Sequence, residues 1–299
     1  MTGILLINKP AGFTSFDVVA KLRGISKTRR IGHAGTLDPM ATGVLPLLFG
    51  AATKACDRLP NTDKRYRAEL RLGITTDTQD ITGTVLSRNE VHASARDVER
   101  ALARFRGEIM QVPPMYSAVQ VGGRRLYDIA REGGTVERAA RPVTIHRLEL
   151  LEADGREHVY TIDVSCSKGT YIRTLCHDLG QELGCGATLT GLCRTEAAGF
   201  GLEQCLTLEQ AQRMADAGEF ERALLPVSTL FAGMQRVTLD ERRARLFCNG
   251  VRLDLARNRL PALEGGYAVY GPGNRFLGLA HNDYGKNELH IDQLFPAEG

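Results

Sequence analysis

No run of about 18 apolar residues occurs in the chain, so a membrane-spanning helix is not expected. Its first residues, MTGILLINKPAG, lack the long apolar stretch of a secretory signal, and a cytoplasmic protein is the expectation. The seven cysteines, at 56, 166, 176, 185, 193, 205 and 248, are odd in number and never stand at Cys-x-x-Cys spacing. Reduced, buried thiols are expected rather than a disulfide framework or a zinc ribbon. The seven histidines form neither His-x-x-x-His nor His-Glu-x-x-His, which leaves a metal without a visible ligand set. Gly-x-x-x-x-Gly-Lys-[Ser/Thr] is missing, and so is Gly-x-Ser-x-Gly, which excludes a P-loop and a nucleophile elbow. Asp77 and Asp80, in GITTDTQD, lack the spacing and terminal glutamate of a calcium loop and read as turn formers and possible arginine partners. Cys176-His177-Asp178 falls within a helical pattern, where neighbours in sequence do not share a face, so it makes no catalytic dyad.

What is present is a folding composition: 299 residues, 43% apolar and 24% charged, enough for about two domains. The net charge of +3 is too small to announce a nucleic-acid partner. Its distribution is uneven, with eight basic and three acidic side chains in residues 1–60, and seven arginines against three acids from Arg236 to Arg259. Ile4 to Ile7 reads as a buried strand entering an Asn-Lys-Pro-Ala-Gly turn, after which Ser15 can cap a helix carrying Val18, Val19 and Leu22. Residues 24–53 show no period and read as one long irregular loop. In 66–72, Tyr66, Ala68, Leu70 and Leu72 alternate with charges, a half-buried strand that points Tyr66 inward. Ser94 caps a helix with Val98, Leu102 and Phe105. Residues 112–142 combine a Pro-Pro pair, two double glycines and five arginines in a basic excursion from the sheet. Strands are expected at about 143–151 and 158–166, then a helix with Ile172, Leu175, Leu179 and Leu183 inward, and a capping box at Thr207-Leu208-Glu209-Gln210. Beyond about residue 230, short segments broken by Gly-Pro-Gly-Asn predict a small β module.

The densest cluster of chemistry is RRIGHAGTLDPMATG, residues 29–43. Its glycines allow tight turns and close approach of a ligand, Pro39 stiffens the backbone after Asp38, and two arginines precede it. A carboxylate kept ionised among cations can be a nucleophile. The Leu-Asp-Pro tripeptide also suits an Asx turn, and His33 also suits a hydrogen-bonded loop position. Arg173 at the start of a helix opposes the positive end of the dipole, which calls for an acidic partner from elsewhere.

Four segments taken together resemble the successive motifs of the bacterial tRNA pseudouridine-55 synthase family: RRIGHAGTLDPMATGVLPLLFGAATK, DKRYRAELRLGITTDTQDITG, PPMYSAVQVGGRRLYDIAREG and SKGTYIRTLCHDLGQELG. They stand in that family's order from INKPAGFTS to about residue 200. The resemblance implies an α+β fold: a mixed, largely antiparallel sheet in a catalytic domain over 1–230, with 112–142 a flexible basic RNA-binding insertion. A small PUA-like RNA-binding module is implied over 231–299. It further implies cofactor-free, metal-free isomerisation of one uridine in the T stem-loop of tRNA, by a monomer. Asp38 then matches the essential aspartate, Tyr66 the tyrosine that stacks on the target base and assists loss of its C5 proton, and Arg173 the arginine that orients the aspartate. His33, Tyr171 and Leu192 match walls of the uridine pocket, Leu192 by register alone, and Arg124 and Arg125 would contact phosphates. The competing expectation is a protein that binds or chaperones tRNA without modifying it, for which Asp38 in that loop has no use.

Overall fold

The computed structural model describes residues 1–261 and 263–295. Its principal strands are β1 (Gly3–Lys9), β2 (Ile31–His33), β3 (Thr42–Phe49), β4 (Lys64–Leu72), β5 (Gly107–Gln111), β6 (Arg141–Asp154), β7 (Val159–Cys166) and β8 (Ala187–Ala197). They lie in the order β1-β3-β8-β4-β7-β6-β5, with β2 on β3, inside a nine-stranded sheet. Only the β3–β8 link is parallel, so the sheet is mixed and largely antiparallel, as expected.

Residues directly opposite one another across a strand pair share a face. Tyr66 on β4 faces Arg194 on β8, and Arg194 faces Gly43 on β3, so these three look out of one side. Farther along β3 that side carries Leu45, Leu47 and Phe49, which pack against helix α1 (Ser15–Ser26). In the other direction it carries Ala68, Leu70, Val164 and Ile162, covered by α2 (Ala95–Leu102) and by α3 (Ile172–Glu182).

The reverse of the sheet has two parts. Over β4, β7 and β6 it is a ladder of ion pairs, in which Arg65 and Arg147 hold the buried Asp163 at 2.9 and 3.3 Å, Arg71 meets Glu157 at 3.3 Å, and Arg67 meets Glu152. Over β1 and β3, Ile4, Leu6, Val44 and Leu48 are covered by Phe231, Tyr270 and Phe295. The rings of Phe231, Phe276 and Phe295 lie 5.4–5.9 Å apart and join a second, five-stranded sheet that starts at Gln235–Thr238 and has its own core around Val237, Phe247 and Tyr267. The expected β module is therefore present. Between β5 and β6 the chain leaves the sheet as a short hairpin, Gln120–Val121 with Arg124–Arg125, and a one-turn helix, Leu126–Arg131.

Two local expectations are corrected. The α1 N-cap is Thr14, whose hydroxyl accepts from the Asp17 amide while Asp17 reaches back, and Ser15 is the first helical residue. Ser15 is buried, and its hydroxyl accepts from the Leu37 amide at 2.9 Å, which ties α1 to the following loop. The supposed loop 24–53 contains β2 and the eight-residue β3. Apart from its first residue β3 is buried throughout, so its apolar residues do not alternate and no period could reveal it.

Gly43 adopts φ +107°, and a Cβ there would stand 2.1 Å from the Arg194 carbonyl oxygen. The parallel β3–β8 contact needs that missing carbon. Gly43→Ala is expected to destabilise the fold by about 2–4 kcal/mol, measured by urea unfolding, through left-side backbone strain and overpacking together. A loss within the error of the measurement would contradict this account of the junction.

Candidate active site

The segment 34–41 has little secondary structure and is instead held by side chains beneath it. Arg194 is fully buried and donates to three carbonyls: Nε to Val44 at 2.8 Å, Nη2 to Gly35 at 3.0 Å and Nη1 to Thr36 at 3.3 Å. On the far side Lys9, also fully buried, donates from Nζ to the carbonyls of Pro10, Phe13 and Pro39 at 2.8, 2.6 and 3.2 Å. The Gly12 amide reaches the same Pro39 carbonyl at 2.9 Å, and the Asp38 carbonyl accepts from Ala41 at 3.1 Å. The backbone on both sides of Asp38 is thus fixed, while its carboxylate is about a third exposed.

The carboxylate meets Arg173, the second residue of α3. Nη2 donates to Oδ1 at 3.4 Å, and Nε lies 2.8 Å from Oδ2. Arg173 is nine-tenths buried and is itself held from the rear: Nη1 donates to the Thr78 carbonyl at 3.0 Å and lies 3.8 Å from Asp80, and Nη2 donates to the Tyr116 carbonyl at 2.8 Å. Asp80, buried, is oriented by Thr78 and Thr82. The acidic partner that the helix position of Arg173 called for is present, and there are two of them.

Tyr66 is 6% exposed, and burial pushes its phenol up to about 12, with the nearby Arg194 charge opposing the rise. At neutral pH it is an un-ionised ring. His33, at the end of β2, is half-buried with Nδ1 enclosed and unpaired; burial and then the Arg194 charge lower its pKa, so the imidazole tends to neutrality. Leu192 stands opposite Ala68 on β8 and packs with Met40 against the cluster that holds Tyr66. Tyr171 is the residue before α3 and has no side-chain cap of its own. Asp38 and Arg173 are thereby in direct contact, and Tyr66 and His33 both lie close enough to Arg194 to feel its charge. Arg124 and Arg125 lie away from this cluster on the exposed hairpin, where Arg124 donates to Glu132 at 2.6 Å and Arg125 to the Tyr127 hydroxyl at 2.7 Å.

Sequence reasoning missed Lys9 and Arg194. Both carry a signal: Lys9 keeps the inward phase of Leu5 and Ile7 on β1, and Arg194 keeps that of Leu192 on β8. A lone cation on the buried phase of a strand must be spending its protons on something. Among the described residues no group of three or more His, Cys, Asp or Glu could hold a metal ion, and no helix is long and apolar enough to cross a membrane.

Comparison with solved proteins identifies the fold. A Cbf5–Nop10–Gar1 complex superposes with TM-score 0.74 over 98% of this chain and 85% of the matched one, at 23% identity. An H/ACA ribonucleoprotein bound to a substrate RNA containing 2′-deoxyuridine gives 0.73 over 99% and 85%, at 22% identity. The fold is that of the pseudouridine synthases. Residues 23–172 match the TruB family pseudouridylate synthase N-terminal domain, and residues 173–232 match the tRNA pseudouridylate synthase B C-terminal domain. Proteins named tRNA pseudouridine synthase B from Cupriavidus metallidurans and Clostridium kluyveri are 46% and 41% identical over 93% and 94% of this chain, covering 90% and 96% of their own lengths. The chain belongs to the TruB family of pseudouridylate synthases.

Burial lowers the Lys9 ammonium from 10.5 to about 8, with the Asp38 charge resisting the fall. The unfolded chain therefore binds this proton more tightly, and keeping the ammonium charged costs stability below about pH 8. That cost is relieved as pH rises from about 8 to 10.5. Relative to Lys9→Met, the wild-type chain should gain stability between about pH 7 and about pH 10 in urea unfolding. A difference that stays flat across the window would show that Lys9 is not the buried cation described.

Proposed function

We propose that this chain converts uridine 55 in the T loop of tRNA to pseudouridine, with Asp38 as the nucleophile. The observation that carries the reading is the Asp38–Arg173 pair, a carboxylate about a third exposed and braced by a buried guanidinium. A structural aspartate in an Asx turn needs no such brace. Three further observations support it: family membership, the tRNA pseudouridine synthase B names of the relatives, and the buried, un-ionised ring of Tyr66.

In the reaction the N1–C1′ bond breaks, the uracil turns, C5 bonds to C1′, the C5 proton leaves and N1 takes one up. Atoms balance without an oxidant, reductant or co-substrate. C1′ and C5 cannot both be reached while the base is stacked within an RNA loop, so the nucleotide turns out of the loop at a cost of a few kcal/mol. Tyr66 stacks on the extruded base and returns about 1–3 kcal/mol. Its phenol, pushed up to about 12, acts through its hydroxyl and its face rather than as a standing phenolate. His33, Tyr171 and Leu192 close the pocket round the base. Asp38 adds to C1′ as the N1–C1′ bond breaks, or takes the C2′ proton in a ribose elimination, and Arg173 keeps its carboxylate aimed.

Residues 1–230 serve as the catalytic domain and 231–299 as an RNA-binding module. In the excursion 112–142, Arg124 and Arg125 exchange their present partners, Glu132 and Tyr127, for phosphates.

Asp38→Asn is expected to abolish conversion of the T-loop uridine, read with a pseudouridine-specific chemical label, while tRNA binding persists. Full activity in that variant would sink the nucleophile assignment. Replacing Arg124 and Arg125 together by alanine should weaken tRNA binding and make the salt slope shallower by about two, leaving the rate at saturating tRNA unchanged. An unaltered slope would take the hairpin out of the interface.

A further inference from the structure

Gln111 ends β5 at the point where the 112–142 excursion departs, opposite Arg141, where the excursion returns. Its side chain is 2% exposed and turns inward. Oε1 accepts from the Tyr171 amide at 2.7 Å, and Nε2 donates to the Tyr171 carbonyl at 3.1 Å. A single carboxamide thus pairs with both backbone groups of one residue, as a neighbouring strand would. That residue immediately precedes α3, whose N-terminus has no side-chain cap, and its carbonyl also accepts the first helical bond, from Leu175 at 3.0 Å. Two residues on stands Arg173.

The connection closes into a ring. Arg173 donates from Nη2 to the carbonyl of Tyr116, five residues after Gln111, and with the same Nη2 and with Nε holds Asp38. Segments 111–116 and 171–173 are therefore joined at both ends, once by Gln111 and once by Arg173. If Tyr171 shifts, the guanidinium loses either Tyr116 or the carboxylate geometry, since the loop that carries Asp38 is fixed independently by Lys9 and Arg194.

We infer that Gln111 is a positioning residue for the isomerisation: its carboxamide fixes the entry to α3 and so the aim of Arg173 on Asp38, and it couples that aim to the root of the RNA-binding excursion. Gln111 touches neither the nucleotide nor Asp38. It acts through Tyr171 and Arg173, and its loss is felt in the chemical step rather than in tRNA affinity. The inference rests on the isomerase reading for its catalytic consequence, and on the ring alone for its structural one.

The test compares the full-length protein with Gln111→Met, which keeps the length and loses both bonds, and with Gln111→Glu. The protonated acid of the second variant can accept from the Tyr171 amide and donate to its carbonyl, and the carboxylate can only accept. Single-turnover conversion of tRNA transcript should fall about tenfold to a hundredfold in Gln111→Met, with the tRNA dissociation constant within about twofold of wild type, since small misplacement of a reacting group costs rates of that order. Gln111→Glu should recover towards the wild-type rate as pH falls, each pH being referred to wild type, and Gln111→Met should not. Hydrogen exchange of peptides covering 167–175 should quicken in Gln111→Met.

An unchanged single-turnover rate in folded Gln111→Met, or a loss of affinity that accounts for the whole loss of turnover, overturns the inference. If Gln111→Met does not fold, the pH profile of Gln111→Glu decides: a ratio to wild type that does not change with pH overturns it. If wild-type protein forms no pseudouridine, the isomerase reading fails by itself, and unchanged exchange over 167–175 in the variant would separately refute the ring.

Discussion

A guanidinium that donates to three backbone carbonyls lies at the junction on which the rest of the molecule depends. Arg194 sits where β3, β8, β4 and the Asp38 loop meet, and it gives its protons to Gly35, Thr36 and Val44. Burying that charge is costly unless every donor is engaged, so the position of those carbonyls is strongly specified. The same residue demands a glycine at 43 and sets the electrostatic surroundings of Tyr66 and His33. Fold and site are thus set by the same few contacts, and the loop needs no regular structure because its carbonyls are claimed one by one.

Around Asp38 the cations divide the work. Lys9 and Arg194 donate to the backbone of that loop and make no hydrogen bond to the carboxylate, and Arg173 holds the carboxylate and leaves that backbone alone. Each anchor belongs to a different element, β1, β8 and α3. The carboxylate is consequently presented at the meeting of three separately packed pieces of the core, which is how a side chain on an irregular segment comes to have a fixed direction.

Much of this was legible. The alternation of 66–72 gave the inward aim of Tyr66, the poor helix position of Arg173 called for an acid, and the Thr207 box and the late β module were plain in the pattern. The rest was hidden for physical reasons. β3 is covered on both faces and so has no period, and Ser15 looked like a cap because its real partner, Leu37, is 22 residues away. Gln111 and Tyr171 are 60 residues apart, and nothing local in either segment announces a side chain acting as a strand. Lys9 and Arg194 could have been found, because each is a charge on the buried phase of its strand.

The ion-pair ladder on the reverse of the sheet has a consequence for how a polyanion approaches. Across β4, β7 and β6 the arginines lie against carboxylates within a few ångströms, and such pairs lose their field beyond about one Debye length, some 8–10 Å. With Glu149 on Arg147 and Glu196 on Arg65, five carboxylates there face four arginines, so that side holds none of the chain's positive surplus. On the proposed reading it is a poor place for phosphates, since each of these arginines already has its carboxylate. The net charge of +3 is carried by the rest of the molecule.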